Sequence, residues 1–273
     1  MDYEPVRRWR EDLAAWAIPR HILDQAPTSP WTFERAVFER RAAARMRAPG
    51  GISYDRAREA LPPGGTVLDV GAGAGAASLP LLRHASALFA VDQDAQLLAR
   101  LTEQAGADRA KVTAVVGSWP DVASGVPPVD VVVCHHVLYN IPELQPFIDA
   151  LHAHARRRVV IELTARHPVA RLNPLWERFH GLVRPERPTW EDARRALDAL
   201  RGPVQVARER LDGDPPASTW DELVASTCRR LCLAPERRPD VAAALEEQGA
   251  MPDVPATWSG SDREVVTFWW DPA

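Results

Sequence analysis

The hydrophobic pattern changes period along the chain. Over the first sixty residues apolar side chains recur at helical spacing. Trp9, Leu13 and Trp16 form one such set, and Phe33, Val37 and Phe38 another after the break at Pro27 to Pro30. A third short helix, Tyr54 to Ala60, runs into the breaker LPPGG. From Thr66 onward, short β-branched apolar runs alternate with helical stretches. TVLDV, ALFAVD, KVTAVVG, VDVVVCHH and RVVIEL have the continuous apolar character of buried parallel strands. Between them, GAGAGAASLPLLRHA predicts a turn and then a helix. DAQLLARLTEQAG predicts a helix with Leu97, Leu98 and Leu101 inward, and Leu144, Phe147, Ile148 and Leu151 mark the face of another.

The strand–helix alternation predicts an α/β fold with a doubly wound, mostly parallel sheet joined by right-handed crossovers. Helices are expected at Leu172 to Leu182 and Trp190 to Leu200, the latter capped by Thr189. A strand is expected at Pro203 to Leu211, helices at Trp220 to Leu233 and Pro239 to Gln248, and a last strand in REVVTFWW. That makes seven strands. The expected organisation is a helical N-terminal extension or lid over residues 1–60. A Rossmann-like domain follows over 61–273, with helical additions after the fifth strand, at about 165–200, and before the last strand, at about 217–250.

Composition narrows the function classes. A hydrophobic content of 46% fits a folded protein. The formal net charge of −4 offers no general attraction to nucleic acid or anionic membrane, so neither is an expected partner. Arginine is abundant and Lys111 is the only lysine, a bias that GC-rich coding explains. No window approaches the roughly 20 apolar residues that span a bilayer, and the start, MDYEPVRRWREDLAAW, has no apolar signal core. Cys134, Cys228 and Cys232 give no even-numbered disulfide framework, and Cys228 and Cys232 lack further ligands for zinc, so they read as buried apolar side chains. A cytoplasmic location is the expectation.

The chemistry concentrates in VLDVGAGAG, Val67 to Gly75. Gly71 and Gly73 allow the backbone to approach a ligand closely, and Asp92, closing the second strand, is placed to accept both hydroxyls of a ribose. These residues fit any adenosine-containing ligand. Gly71, Gly73 and Ala76 even satisfy the dinucleotide pattern G-x-G-x-x-G/A. Three features oppose that reading: the turn lies far into the chain, no second glycine fingerprint follows, and Asp69 puts a carboxylate where a pyrophosphate would sit. A ligand carrying an ammonium group would instead favour Asp69.

VLDVGAGAGAASLPL resembles motif I of the class I S-adenosylmethionine-dependent methyltransferases, including Pro80 within the following segment. FAVDQD resembles their second motif, GSWPDV falls where their adenine-contacting loop follows the third strand, and VDVVVCHHVLYNIPEL resembles the segment after the fourth strand. The resemblance covers about residues 64 to 165. It implies S-adenosyl-L-methionine as cofactor, held by Asp69, Gly71, Ala72, Gly73, Asp92, Gln93, Ser118, Trp119 and His135. Where the family often has an acidic residue after the third strand, this chain has Ser118 and Trp119.

On the acceptor side the expected catalytic residues are His135, His136 and Tyr139, with Asn140 beside them. A histidine there could take a proton from a hydroxyl or ring nitrogen. Equally, one could pack against the cofactor and the other cap a helix. No metal is expected: His152 and His154 point to different helix faces. Neither a G-x-S-x-G elbow nor a D/N-P-P-Y/F motif occurs. Trp9, Trp16, Trp31, Trp176, Phe179 and Trp190 could line an aromatic pocket or fill the cores of the added helices. The expected partner is a small-molecule methyl acceptor. The alternatives are an RNA or protein acceptor, or a non-catalytic cofactor-binding role.

Overall fold

A computed structural model describes residues 3–31, 34–210, 219–250 and 264–272. Phe33, Leu211 and Arg263, which the sequence pattern includes in its elements, lie outside these. Four helices come first: α1 (Glu4–Ala14), α2 (Arg20–Leu23), α3 (Arg35–Arg47) and α4 (Ile52–Ala60). Then follow β1 (Gly65–Val70), β2 (Ala85–Asp92), α5 (Ala95–Gln104), β3 (Val112–Val116), β4 (Val129–His135), α6 (Leu144–His154) and β5 (Ala155–Thr164). The C-terminal part carries α7 (Asn173–His180), α8 (Trp190–Arg201), β6 (Gln205–Arg210), α9 (Trp220–Arg230), α10 (Arg238–Glu247) and β7 (Glu264–Trp270).

The seven strands form one sheet in the order β3-β2-β1-β4-β5-β7-β6. The pairs from β3 to β5 are parallel, and β7 runs antiparallel to both β5 and β6. A dinucleotide sheet in the order 3-2-1-4-5-6 has no such inserted reverse strand. Apolar side chains alternate to the two faces. Val67, Leu88, Ala90, Val131, Val133 and Val160 meet Ala57 and Leu61 of α4 and Leu98 and Leu101 of α5. Leu68, Val132, Cys134, Ile161 and Phe268 meet α6, α8 and Trp9 of α1 on the other face. Thr189 caps α8 through a capping box with Asp192, as its position suggests.

The segment after β1 departs from expectation. GAGAGAASLPLLRHA forms no α-helix; it makes tight turns and a single 3-10 turn, Leu79–Arg83. Pro80 has no N–H to donate, and its ring would collide with the carbonyl of residue 76 in a continuous helix. With Ala85 already in β2, no length remains to restart one. Beyond the sheet, α2, α7, α9 and α10 share a cluster of their own, built on Ile22, Leu175, Trp176, Val224, Cys228, Leu231 and Leu245. Cys134, Cys228 and Cys232 are buried free thiols. Most of the tryptophans fill cores: Trp9, Trp16 and Trp176 are buried, whereas Trp31 is half exposed.

Candidate functional site

The order of strands reverses between β1 and β4, and the loops leaving their carboxyl ends flank the crevice where open α/β sheets bind ligands. Gly71 (φ 74°), Gly73 (φ 50°) and Gly75 (φ 89°) all adopt the left-handed region. At Gly71 contact adds to conformation: a Cβ there would lie 2.2 Å from Val137 Cγ2, in the loop after β4. The amides of Gly71 and Ala72 both donate to the Val91 carbonyl, at 2.9 and 3.0 Å, holding the turn against the end of β2.

Asp92 organises this half of the site. Its Oδ2 accepts from the Gly73 amide at 2.8 Å and its Oδ1 from the Asp94 amide at 2.9 Å. Its carbonyl accepts from Gly117 N at 3.0 Å, which links the end of β3. A carboxylate offers about four lone-pair positions, so two remain for a pair of hydroxyls. Gln93 beside it is exposed. Asp94 caps α5 by accepting from Gln96 N and Leu97 N, and its other oxygen takes an ion pair from Arg35 of α3 at 2.7 Å. Phe38 of the same helix would lie 3.6 Å from a Cβ on Gly73, so α3 covers the glycine turn.

Asp69, two residues before the turn, is 1% exposed, and neither carboxylate oxygen has a hydrogen-bond partner among the described residues. Burial, reinforced by the Asp92 charge, pushes its carboxyl up to about 7; the nearby Ser78 hydroxyl opposes this without completing a bond of good geometry. A buried acceptor left unpaired is costly. Ser118 is partly buried after β3, next to Gly117. Trp119 is packed in the core with Leu68 and Val91, its ring edge-on to His154 at 4.8 Å.

At the carboxyl ends of β4 and β5 a second constellation lies on the α4 face. His135 pairs in register with Glu162, and Glu162 with Thr267 of β7. Glu162 is 3% exposed. Its Oε2 accepts from Ser53 Oγ of α4 at 2.5 Å, and its Oε1 lies 3.1 Å from His136 Nε2 and 3.9 Å from His135 Nδ1. Burial would raise the Glu162 carboxyl, but the two histidines and Ser53 hold it well below the usual carboxylate range. His135 goes the other way: burial lowers it to about 4, assisted by His136 and Arg45, so its ring is neutral at pH 7. His136 has a left-handed backbone, φ 59°, and its N–H donates to the Glu162 carbonyl at 2.6 Å.

Tyr139 is placed differently. Its hydroxyl donates to the Thr164 carbonyl at 2.9 Å, its ring stacks on Trp9 at 5.7 Å, and it is 5% exposed. Burial pushes its phenol far upward. Glu162, Ser53 and Phe38 were not singled out from the sequence. Only Glu162 left a signal, an acid inside the apolar run RVVIEL of a buried strand. Among the described residues no cluster of His, Cys, Asp or Glu is arranged to hold a metal, and no helix is long and apolar enough to cross a membrane.

The chain was compared with known proteins. A methyltransferase-domain family profile matches residues 68–161, which contain the glycine turn, Asp92 and the end of β4. No curated protein matches the sequence. Among solved structures, a cyclopropane-fatty-acyl-phospholipid synthase-like protein from Lactobacillus casei shares the fold with a TM-score of 0.54 and 17% identity, covering 92% of this chain and 97% of that one. A candidate methyltransferase from Bacillus halodurans superposes with a TM-score of 0.51 and 14% identity over 82% of this chain and 99% of that one. The YcgJ protein of Bacillus subtilis gives 0.51 and 13%, over 80% and 97%.

Proposed function

We propose that this chain, a member of the class I methyltransferase family through residues 68–161, transfers a methyl group from S-adenosylmethionine to a small-molecule acceptor. The observation that carries this reading is Asp69: a buried carboxylate without a partner, at one end of a turn whose other end is closed by Asp92. A ligand with an ammonium group at one end and a ribose diol at the other satisfies both. A pyrophosphate beside Asp69 would be repelled.

In this reading Asp69 pairs with the donor's ammonium group, and the backbone of Gly71, Ala72 and Gly73 walls its amino-acid portion. Asp92 accepts the ribose hydroxyls with its two remaining lone-pair positions. Gln93 and Ser118 flank the adenosine, with Trp119 supporting that loop from the core. His135, neutral and apolar-faced, forms the floor below the sulfur. Bound S-adenosylmethionine supplies a methyl carbon already activated by a positive sulfur, so alignment and exclusion of water provide most of the remaining catalysis. α3 acts as the lid, since Phe38 covers Gly73 and must lift for the donor to enter. A small acceptor is favoured because helices α3 and α4 overlie the strand ends and the chain carries a net charge of −4.

Calorimetric titration tests the donor assignment. S-adenosylmethionine is expected to bind to the wild-type protein, and NAD is not. Binding of NAD without a response to S-adenosylmethionine sinks the proposal. Methylation of bulk tRNA or protein, with none of a small-molecule extract, would keep the donor and overturn the acceptor class.

A further inference from the structure

Glu162 is an expensive residue where it stands. Its strand is otherwise apolar from Val159 to Leu163, and an ionised carboxylate is costly in such surroundings unless fully compensated. Three side chains converge on it, Ser53 from α4 and both histidines from the end of β4. Resting on the donor assignment above, we propose that His136 is the base that removes a proton from the acceptor. Glu162 is its positioning residue, and the acceptor reacts through an acidic hydroxyl of the phenol or enol type.

The argument runs through hydrogen positions. An ionised carboxylate can only accept, so the hydrogen between Glu162 Oε1 and His136 Nε2 belongs to the imidazole. In the neutral ring Nδ1 then carries the free lone pair. Glu162 also accepts the backbone N–H of His136 at 2.6 Å and so fixes the left-handed conformation that aims the ring. Such a conformation costs a non-glycine residue about 1 kcal/mol or more and persists only when its surroundings impose it. His135 cannot share the task, being buried with its Nε2 unpartnered and held neutral. The His136 side chain keeps 29% of its surface accessible.

A base helps only a nucleophile that arrives protonated. A carboxylate or a free amine already offers a lone pair. In the step proposed, the acceptor O–H proton passes to His136 Nδ1, the O–CH3 bond forms and the CH3–S bond breaks. The bonding pair stays on sulfur, leaving a neutral thioether. Protonated His136 is then stabilised by the Glu162 carboxylate until it releases the proton to water.

Nitrogen-15 NMR of the His136 imidazole is the deciding measurement, because it reads the tautomer without turnover. The wild-type ring is expected to be the Nε2–H form, and Glu162→Gln should lose that single tautomer. Ser53→Ala, which keeps the carboxylate and both histidines, should shift the populations in the same direction by less and covers the case in which Glu162→Gln does not fold. An Nδ1–H ring in the wild type, or an unchanged tautomer in Glu162→Gln, overturns the proposal. Calorimetry with S-adenosylmethionine is expected to be unchanged in His136→Asn and Glu162→Gln. Absence of binding in the wild type would sink the donor assignment instead. With matched phenols, anilines and benzoates, methylation should fall on the phenol and drop roughly 100-fold in kcat for His136→Asn. Preference for the aniline or benzoate overturns the hydroxyl assignment.

Discussion

The two halves of the site are built by different means. Around β1 to β3 the contacts are close in sequence and mostly backbone: Gly73 to Asp92, Asp94 to Asp92, and Gly71 to the Val91 carbonyl. Around β4 and β5 they are distant and made by side chains. Ser53 reaches Glu162 across 109 positions, Trp9 Nε1 donates to the Ile141 carbonyl across 132, and Trp16 Nε1 to the Arg187 carbonyl across 171. Arg184 bonds the Trp16 carbonyl while lying over the rings of Trp16 and Trp176, which ties the N-terminal helices to the C-terminal ones. The donor half is therefore a piece of local geometry that one segment specifies. The acceptor half is assembled by the whole fold and can vary without disturbing the other.

The sharpest break of that contrast is within the glycine turn. Gly71→Ala adds a methyl 2.2 Å from Val137 Cγ2 at a positive φ, so it strains both the turn and the loop after β4. A loss of about 3 kcal/mol or more in folding stability is expected, with donor binding abolished. Gly73→Ala, whose Cβ would meet only Phe38 at 3.6 Å, should cost about 1 kcal/mol from conformation alone. Denaturant melts of the two variants decide it, and equal losses would mean that the Val137 contact does not matter. Next in size is Asp92→Ala, which strands the amides of Gly73 and Asp94 and removes the proposed diol acceptor. Donor affinity should fall by roughly 1–3 kcal/mol, about 10- to 100-fold, while the tautomer of His136 stays as it was. An altered His136 would show that the halves are coupled.

The pH dependence separates the halves further. Asp69 has its carboxyl near 7 in the folded protein, against about 3.9 when unfolded. The folded state therefore holds the extra proton, and the stability it contributes is present below about pH 4 and lost as pH rises through 7. Donor binding should reverse this: the ammonium group selects the ionised carboxylate, so binding releases a proton below pH 7. Affinity should rise by up to about tenfold per pH unit below 7 and level off above it. Calorimetry in buffers of different ionisation enthalpy counts the protons, and Asp69→Asn should abolish the slope. A slope that survives in Asp69→Asn would remove Asp69 from the ammonium site.

This difference in construction also explains what could be read from the residues alone. Strand runs, the turn and Asp92 lie within one stretch, and their spacing carries the geometry. The helix expected after the turn failed because a single residue, Pro80, outweighed an otherwise helical composition. Tyr139 looked like chemistry because it follows two histidines, yet its neighbours Trp9 and Thr164 come from elsewhere in the chain and hold it in the core. Glu162 stood inside an apolar strand as a visible anomaly. Its meaning needed Ser53, and nothing in the spacing of α4 and β5 links those two. The apolar cluster shared by α2, α7, α9 and α10 is similarly invisible, since each helix shows an apolar face without naming what covers it.

The smallest expected effect lies where the halves meet. α3 buries little apolar surface of its own, Ala42 alone being fully covered. Ion pairs hold its flanks instead: Arg35 to Asp94, Glu39 to Arg100, Arg40 to Glu222 and Glu34 to Arg229. Two of these reach the donor half and two reach α9. Exposed pairs contribute about 0.2–1 kcal/mol each and are screened by salt. Arg35→Ala should thus leave overall stability almost unchanged and loosen the lid at its donor edge, raising the dissociation rate of S-adenosylmethionine about two- to fivefold. Raising the ionic strength should speed wild-type dissociation in the same way and affect Arg35→Ala less. Stopped-flow dissociation across a salt series measures both. If salt leaves the wild-type rate unchanged, charge does not hold α3 over Gly73, and the contact of Phe38 with the glycine turn would have to close the site unaided.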